Sequence, residues 1–338
     1  MKCEDIIKIG YGIISKFYPE DIEEIGILME NKGGMILTKF DGKSLGVIEA
    51  PNVETVEKSL REKKSIFIET PLHSTLPVEK RKSQVVVYSN VINVPIVRIR
   101  FNKLKDFDEE EKSFLERFGH EIAILCQTIQ SFRKTKNLLI GYIISMTKAI
   151  DSKDPYTEGH SERVAYLSVI LSEKLGMEKE RIQKILVAGL LHDVGKIGIP
   201  EAILKKNGKL TQEEYELVKR HTIEGEEIVK PLDPEIAKMV RHHHERWDGK
   251  GYPDGLKDGE IPLEVRILSV CDVFDALTSD RPYRKAYPFE EALKIIEEGR
   301  GTQFNPEIVD LFLSTIKEIP LAEKKAFNIT PIIKKYLT

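Results

Sequence analysis

The chain has 338 residues and a formal net charge of −3, with 41% hydrophobic and 32% charged residues. This composition excludes a chain that is disordered throughout or a fibrous repeat, and the length predicts about two domains. The charge balance gives no reason to expect nucleic acid as a partner. Three distant cysteines argue against a disulfide framework and indicate a reducing cytoplasm. Apolar stretches such as 138–146 are shorter than the ~20 residues of a membrane span, so no membrane insertion is expected.

Residues 1–130 are predicted to form a mixed α+β domain. Short segments rich in β-branched residues alternate with turn residues, a pattern typical of strands. The predicted strands are 35–37, 45–48, 65–68, 84–88 and 94–101. A polar helix fits between Glu54 and Lys64.

A long connecting helix is predicted over residues 110–150. Apolar side chains recur every three or four residues from Phe114 to Ile150, with no proline between them. Asp108 can cap this helix, and the acidic first turn that follows suits the positive helix end. Because helices of this length usually need a partner, we expect a homodimer along it; packing on its own domains is the alternative.

Residues 141–338 are predicted to be all-α, because strand signals become scarce and helical periodicity recurs. The predicted helices are 160–175, 179–194, 211–230, 233–246, 262–279, 288–299 and 305–317. In the second of these, Ala188 and Gly189 would let another backbone approach closely, and Gly195 would provide a C-terminal cap.

Histidine is concentrated in this second domain, where six of the eight histidines lie between positions 160 and 244. Candidate metal ligands at helix edges are His160, His192, Asp193, His221, His243, His244 and Asp272. Any one such histidine is more often a satisfied polar residue, but together they favour a polynuclear site in which an aspartate bridges two ions. Imidazole and carboxylate without thiolate suit Fe, Mn, Co or Zn, and several histidines with a bridging carboxylate favour Fe(II) or Mn(II) among them. Cys271 is interpreted as a packed core thiol.

Three segments resemble the HD phosphohydrolase superfamily and, within it, the HD-GYP proteins. Residues 192–196 read HDVGK, residues 243–253 read HHERWDGKGYP, and residues 280–284 read DRPYR. The resemblance covers about 140–320 and implies an all-α HD-GYP domain that hydrolyses cyclic di-GMP to pGpG, and in some members on to GMP.

The motif match implies two metal sites that share one carboxylate. The ligands of the first would be His160, His192, Asp193 and Asp272. Those of the second would be Asp193, His221, His243 and His244. His242 falls outside the match and is interpreted as structural. Some members hold a third ion through a glutamate where this chain has Tyr156, so two divalent ions are expected and a third is open.

The expected mechanism uses a bridging water whose pKa the two ions lower, so that hydroxide attacks the phosphodiester. Lys196, one turn from Asp193, would reach the same phosphate; its alternative role is a helix-terminal cation.

Substrate contacts are expected from two further segments. Gly251, Tyr252 and Pro253 would approach and stack on a guanine, unless this segment is only a long turn. Arg281 and Arg284 would grip the second phosphate or the guanine edges, unless Arg281 pairs with a neighbouring aspartate.

Two other functions remain open, a diiron oxygenase on an HD-type fold and a catalytically weak cyclic di-GMP receptor. A phosphate ligand, and hence a phosphodiesterase over an oxygenase, is favoured by Lys196, the GYP segment and the two arginines. The complete set of metal ligands favours hydrolysis over binding alone. Another cyclic dinucleotide also remains open as substrate.

The first domain resembles a GAF domain more loosely, through residues 94–96, 107–111, Leu115 and 122–123. This resemblance implies a sensor or dimerisation domain that answers to an unknown small-molecule or protein signal.

Overall fold

The structure is a computed structural model in which the chain divides into two units, Met1–Lys136 and Asn137–Thr338. It describes residues 3–18, 21–31, 34–49, 59, 61–68, 84–89, 96–101, 106–153, 159–206, 208–280, 285–319 and 328–337.

The first unit contains a six-stranded antiparallel sheet with the strand order β3-β2-β1-β6-β5-β4. The strands are β1 (Ile22–Asn31), β2 (Gly34–Phe40), β3 (Leu45–Glu49), β4 (Ile66–Ile68), β5 (Gln84–Tyr88) and β6 (Ile96–Phe101). An N-terminal helix, α1 (Cys3–Phe17), was not predicted from the sequence. Alternate strand residues such as Ile25, Ile27 and Ile99 are buried in one core with Ile7 of α1. Most of the helix predicted at 54–64 lies outside the described residues.

The long helix was predicted correctly in type and start. It is α2 (Glu109–Lys153), 45 residues long. Asp108 caps it, because its Oδ1 accepts a hydrogen bond from Glu111 N at 2.8 Å.

In the second unit the described residues form helices joined by loops, and the helices enclose an all-α core. Its helices are α3 (His160–Lys174), α4 (Lys179–Leu191), α5 (Glu201–Leu204), α6 (Gln212–Lys219), α7 (His221–Val229), α8 (Pro234–His242), α9 (Leu263–Thr278), α10 (Phe289–Glu298), α11 (Pro306–Glu318) and α12 (Thr330–Leu337). Two short 3-10 helices cover Val194–Gly198 and Asp258–Glu260. Helices α3 and α4 approach closely at Gly189, where a Cβ atom would lie 2.7 Å from Ala165 Cα.

Two helix predictions in this unit were wrong in ways that matter for the site. The helix predicted at 211–230 is two helices, α6 and α7, that meet at Arg220. The helix predicted at 179–194 ends at Leu191, and Gly195 lies in the following 3-10 helix rather than capping α4. Gly195 serves close packing instead, because a Cβ atom there would lie 1.9 Å from His221 O.

Candidate metal centre

The seven predicted metal ligands come together in the second unit. His160 is the first residue of α3, and His221 is the first residue of α7. The other ligands follow the ends of α4 and α8, except for Asp272, which lies within α9. Six of them are at most 7% exposed: His160, His192, Asp193, His221, His243 and Asp272. His244 is the most open, with a side chain that is 28% exposed.

The first group of ligand atoms surrounds one oxygen of Asp193. Asp193 Oδ2 lies 3.4 Å from His192 Nε2 and 3.9 Å from His160 Nε2. His160 Nε2 is also 3.2 Å from Asp272 Oδ1. The ligand atoms of His160, His192 and Asp193 all lie within 4.8 Å of one another, a separation that a single ion can fill.

The second group faces the other oxygen of Asp193. His221 Nε2 lies 3.6 Å from Asp193 Oδ1 and 3.4 Å from His243 Nε2. His221, His243 and His244 also have ligand atoms within 4.8 Å of one another. The two carboxylate oxygens of Asp193 therefore point toward different groups of imidazoles.

Backbone carbonyls orient three of the histidines. The Nδ1 atoms of His192, His221 and His243 lie 2.9, 2.6 and 2.7 Å from the carbonyl oxygens three residues earlier. Since a carbonyl only accepts, each Nδ1 carries the proton and each Nε2 presents its lone pair to the cluster.

A metal ion fits this arrangement. His192 Nε2 is buried and has no hydrogen-bond partner, and leaving such a group unsatisfied costs about 1–3 kcal/mol. A divalent cation would satisfy it together with the adjacent imidazole and carboxylate atoms, which are suitable ligands for transition metals.

His160 is oriented by a carboxylate that the sequence analysis missed as a site residue. Its Nδ1 lies 2.7 Å from Asp275 Oδ2. Arg163 holds both oxygens of Asp275, with Nε at 2.6 Å from Oδ1 and Nη2 at 3.0 Å from Oδ2. Burial acts to lower the pKa of His160, but hydrogen bonds with Asp272 and Asp275 outweigh it and raise that pKa to about 9 in the metal-free protein.

The pKa values of Asp193, His221, His243 and His244 are all lowered from their usual values. Burial acts to raise the pKa of Asp193, but the charge of Lys196 and the nearby imidazoles hold it well below its usual value. Burial lowers the pKa of His221, takes that of His243 well below its usual value and takes that of His244 to about 3. Asp193 is therefore ionised and these histidines are neutral at pH 7, which are the forms that bind metal.

Lys196 and the GYP segment border the same cluster. Lys196 Nζ lies 2.7 Å from Asp193 Oδ2. The Tyr252 ring lies 4.9 Å from the His244 ring, and its backbone N–H donates to His244 O. At Gly251, a Cβ atom would lie 2.4 Å from Arg246 N, so only glycine allows this loop to pack. Pro253 is the next residue in the loop.

Glu245 holds the GYP loop and was also missed from the sequence. It is 2% exposed, and its Oε1 accepts hydrogen bonds from Asp254 N at 2.7 Å and Gly255 N at 3.1 Å. His242 points to Asp254 instead of the cluster, with Nε2 2.8 Å from Oδ2. Tyr156, Arg281 and Arg284 lie outside the described residues.

Cys271 is a packed thiol, as predicted. It is fully buried in the core of the second unit, and burial raises its pKa to about 12.

Comparison with known families supports this description of the second unit. Residues 145–308 match the family model described as HD domain. The C-terminal unit has an HD-type all-α fold. None of the helices in the described part of the chain is both long and apolar enough to cross a bilayer.

Several curated relatives share this region. A cyclic di-GMP phosphodiesterase of Thermotoga maritima is 37% identical over 236 residues, covering 68% of this chain and 64% of that protein. A cyclic di-GMP phosphodiesterase response regulator of Xanthomonas campestris is 42% identical over 172 residues, covering 50% and 46%. A 3'3'-cGAMP-specific phosphodiesterase of Vibrio cholerae is 40% identical over 191 residues, covering 56% and 39%. The chain thus spans about half the length of these relatives.

A solved cyclic GMP-AMP phosphodiesterase of Vibrio cholerae aligns with a TM-score of 0.46 and 20% identity, over 58% of this chain and 52% of that one.

Proposed function

We propose that this protein is a metal-dependent phosphodiesterase that hydrolyses cyclic di-GMP to pGpG, with further hydrolysis to GMP as an open second step. The observation that carries the proposal is the position of Asp193, whose two oxygens face two different imidazole groups. Relatives named cyclic di-GMP phosphodiesterases support the substrate class.

Two divalent ions, with Fe(II) or Mn(II) favoured, are the proposed cofactors. One would be held by His160, His192, Asp193 and Asp272. The other would be held by Asp193, His221, His243 and His244. Bound ions would supply a nucleophile at neutral pH and neutralise charge on the phosphate. The chain contributes preoriented imidazoles and an ionised shared carboxylate.

Lys196 is the proposed catalytic cation. Its ammonium lies 2.7 Å from Asp193 Oδ2, and its side chain is 14% exposed, so it can face both the shared carboxylate and a bound phosphate. There it would stabilise negative charge or donate a proton to the departing ribose oxygen.

Tyr252, with Gly251 and Pro253, is proposed to receive a guanine base. Burial raises the pKa of Tyr252, so its phenol stays neutral and its ring offers an uncharged stacking surface beside His244. Arg281 and Arg284 are proposed to contact the second phosphate or a guanine edge.

Anaerobic turnover by the purified chain tests the proposal. Protein loaded with Fe(II) or Mn(II) should convert cyclic di-GMP to pGpG, followed by chromatography, with metal content measured on the same sample. Asp193→Ala should lose metal and turnover together. Asp310→Ala is the matched control, because Asp310 is 59% exposed and pairs on the surface with Arg300. No turnover by metal-loaded protein would refute the enzymatic function.

A second candidate substrate is 3'3'-cGAMP, because three relatives are named for it. Parallel assays with both dinucleotides decide between them. Cyclic di-GMP binding without hydrolysis would instead indicate a receptor, and oxygen uptake would indicate a diiron oxygenase.

A homodimer along α2 is proposed as the assembly. Four exposed apolar side chains follow a strict seven-residue spacing: Leu125, Phe132, Leu139 and Met146. A repeat of seven, sustained over three intervals, is the period with which two helices pack into a left-handed coiled coil. Light scattering after chromatography should give a dimer mass, and Phe132→Glu with Leu139→Glu should give a monomer. A monomeric wild type would refute it.

The sheet-containing unit is proposed to be the GAF-like sensor, with an unidentified small molecule or protein as its signal. The proposed location of the protein is the cytoplasm.

A further inference from the structure

The last turns of α2 contact the backbone on both sides of the His192–Asp193 pair. Thr147 is 1% exposed, and its Oγ1 lies 3.0 Å from Leu190 O, two residues before His192, and 3.0 Å from Ile143 O of its own helix, so the two carbonyls share one hydroxyl donor. Lys153 Nζ donates to Lys196 O at 3.0 Å and to Ile197 O at 2.5 Å, shortly after Asp193. One helix therefore supplies hydrogen-bond donors before and after the central metal-ligand pair.

The carbonyls that receive these donors lie at or near helix ends, and one of them, Lys196 O, also accepts the backbone N–H of Ile199 at 3.0 Å. Leu190 O belongs to the last turn of α4, where carbonyls have no N–H partner within the helix. Lys196 O and Ile197 O lie near the end of the 3-10 helix 194–198. An ammonium has three donors, and its hydrogen bonds are stronger than neutral ones, so Lys153 is a strong anchor for this short segment.

The anchored segment carries the proposed catalytic cation. Lys196 N donates to Asp193 O at 2.9 Å, and Lys196 Nζ lies 2.7 Å from Asp193 Oδ2. A shift of the 194–198 backbone would therefore move the Lys196 ammonium relative to the shared carboxylate. Gly195 packs on His221 O in the same segment, so the shift would also disturb the approach to α7.

We infer that Lys153 is a positioning residue, which holds the backbone of Lys196 and thereby places the Lys196 ammonium against Asp193. This inference rests on the proposed function for its catalytic consequence. Lys153 does not reach Asp193 itself; it acts through the two carbonyls that it binds.

Kinetics with three lysine variants test the inference. Lys153→Met keeps the length of the side chain and removes the donors, Lys153→Arg retains donors, and Lys148→Met alters an exposed lysine on the same helix. Since misplacement of a group by about 1 Å can cost about 100-fold in rate, we expect kcat for cyclic di-GMP to fall about tenfold in Lys153→Met. KM and bound metal should stay within about twofold, Lys153→Arg should recover most of kcat, and Lys148→Met should match the wild type.

Hydrogen exchange tests the anchoring without relying on activity. The amides of Lys196 and Ile199 are hydrogen-bonded to Asp193 O and Lys196 O. Lys153→Met should speed exchange in a peptide covering 193–199 and leave α9 unchanged. The inference is overturned if Lys153→Met changes neither the exchange rate of this peptide nor kcat. It is also overturned if the variant speeds hydrogen exchange throughout the second unit. If the wild type binds metal without turnover, the proposed function fails, and the exchange result alone decides whether Lys153 anchors the segment.

Discussion

Replacing Asp275 with asparagine should weaken the metal site from outside its ligand set. Asp275 accepts the proton of His160 Nδ1 at 2.7 Å, while Arg163 binds both of its oxygens. The substituted side chain would keep the shape of the carboxylate but lose its charge. The new amide nitrogen would also have to face either the imidazole N–H or the guanidinium, both of which are donors.

The structure sets the size of this effect. A hydrogen bond to a charged group contributes about 1.5–3 kcal/mol, and each 1.4 kcal/mol changes an affinity about tenfold. We expect Asp275→Asn to weaken Mn(II) binding at the His160 site by about 10- to 100-fold, the range found when partners of metal-bound histidines are changed. The Arg163 side chain is 25% exposed, so water can replace part of its lost contact and metal-free stability should fall by only about 1–3 kcal/mol.

Mn(II) titration followed by electron paramagnetic resonance measures the affinity, and urea unfolding of chelated protein measures the stability. Asp310→Asn is the matched control, because Asp310 is held by Arg300 in the same two-bond geometry on the surface. Wild-type Mn(II) affinity in Asp275→Asn would refute the view that Asp275 orients His160 for metal binding.

Two further predictions concern the second unit, and a third concerns the buried cysteines of both units. In the metal-free protein the pKa of His160 is raised from 6.5 to about 9, so protonated His160 stabilises the fold fully below pH 6.5 and this stabilisation is lost as the pH rises through 9. Protein stripped of metal by a chelator should therefore unfold at a lower urea concentration at pH 9.5 than at pH 6.5. Bound metal should remove this difference. Glu245→Ala removes the acceptor for the backbone amides of Asp254 and Gly255 and so loosens the GYP loop. The KM for cyclic di-GMP should rise about tenfold while the metal content stays unchanged. An unchanged KM would contradict a role of this loop in substrate binding. Cys126 and Cys271 are buried, so neither should react with a disulfide reagent until the protein unfolds, as peptide mapping can show.

Two of the features that sequence reasoning missed, strand β1 and the break between α6 and α7, lack a clear local pattern. Strand β1 contains the pair Glu23–Glu24, and its register with β6 shifts between Ile22 and Glu24. This irregularity breaks the alternation of apolar residues that marks a strand. The break between α6 and α7 was also hidden, because the chain turns at Arg220 without a glycine or proline.

In the candidate site, too, residues in local sequence motifs could be predicted, whereas residues brought in by tertiary contacts could not. His192, Asp193, His243 and His244 were predictable because they belong to short sequence motifs that follow helix ends. Asp275 was not, because 115 residues separate it from His160 and nothing in the local sequence joins them. Lys153 and Lys196 are 43 residues apart and meet only through packing. Residues that orient a ligand through tertiary contacts carry no spacing signal of their own.

The local arrangement of the histidines explains why helix ends build this cluster. His192, His221 and His243 each follow the end of a helix (α4, α6 and α8), and each donates from Nδ1 to a carbonyl of that helix's last turn. Carbonyls in the last turn of a helix run short of partners within it, although Val218 O also accepts the backbone N–H of Arg220. Each histidine bonds to one such carbonyl and is held with Nε2 facing outward. The carbonyl end of a helix also carries partial negative charge, which favours a nearby cation. A histidine just past a helix thus supplies the tautomer and the orientation of its ring. After α4 and α8 it also lies in a field that favours a metal ion, whereas His221 is at the same time the first residue of α7, whose N-terminal end carries partial positive charge.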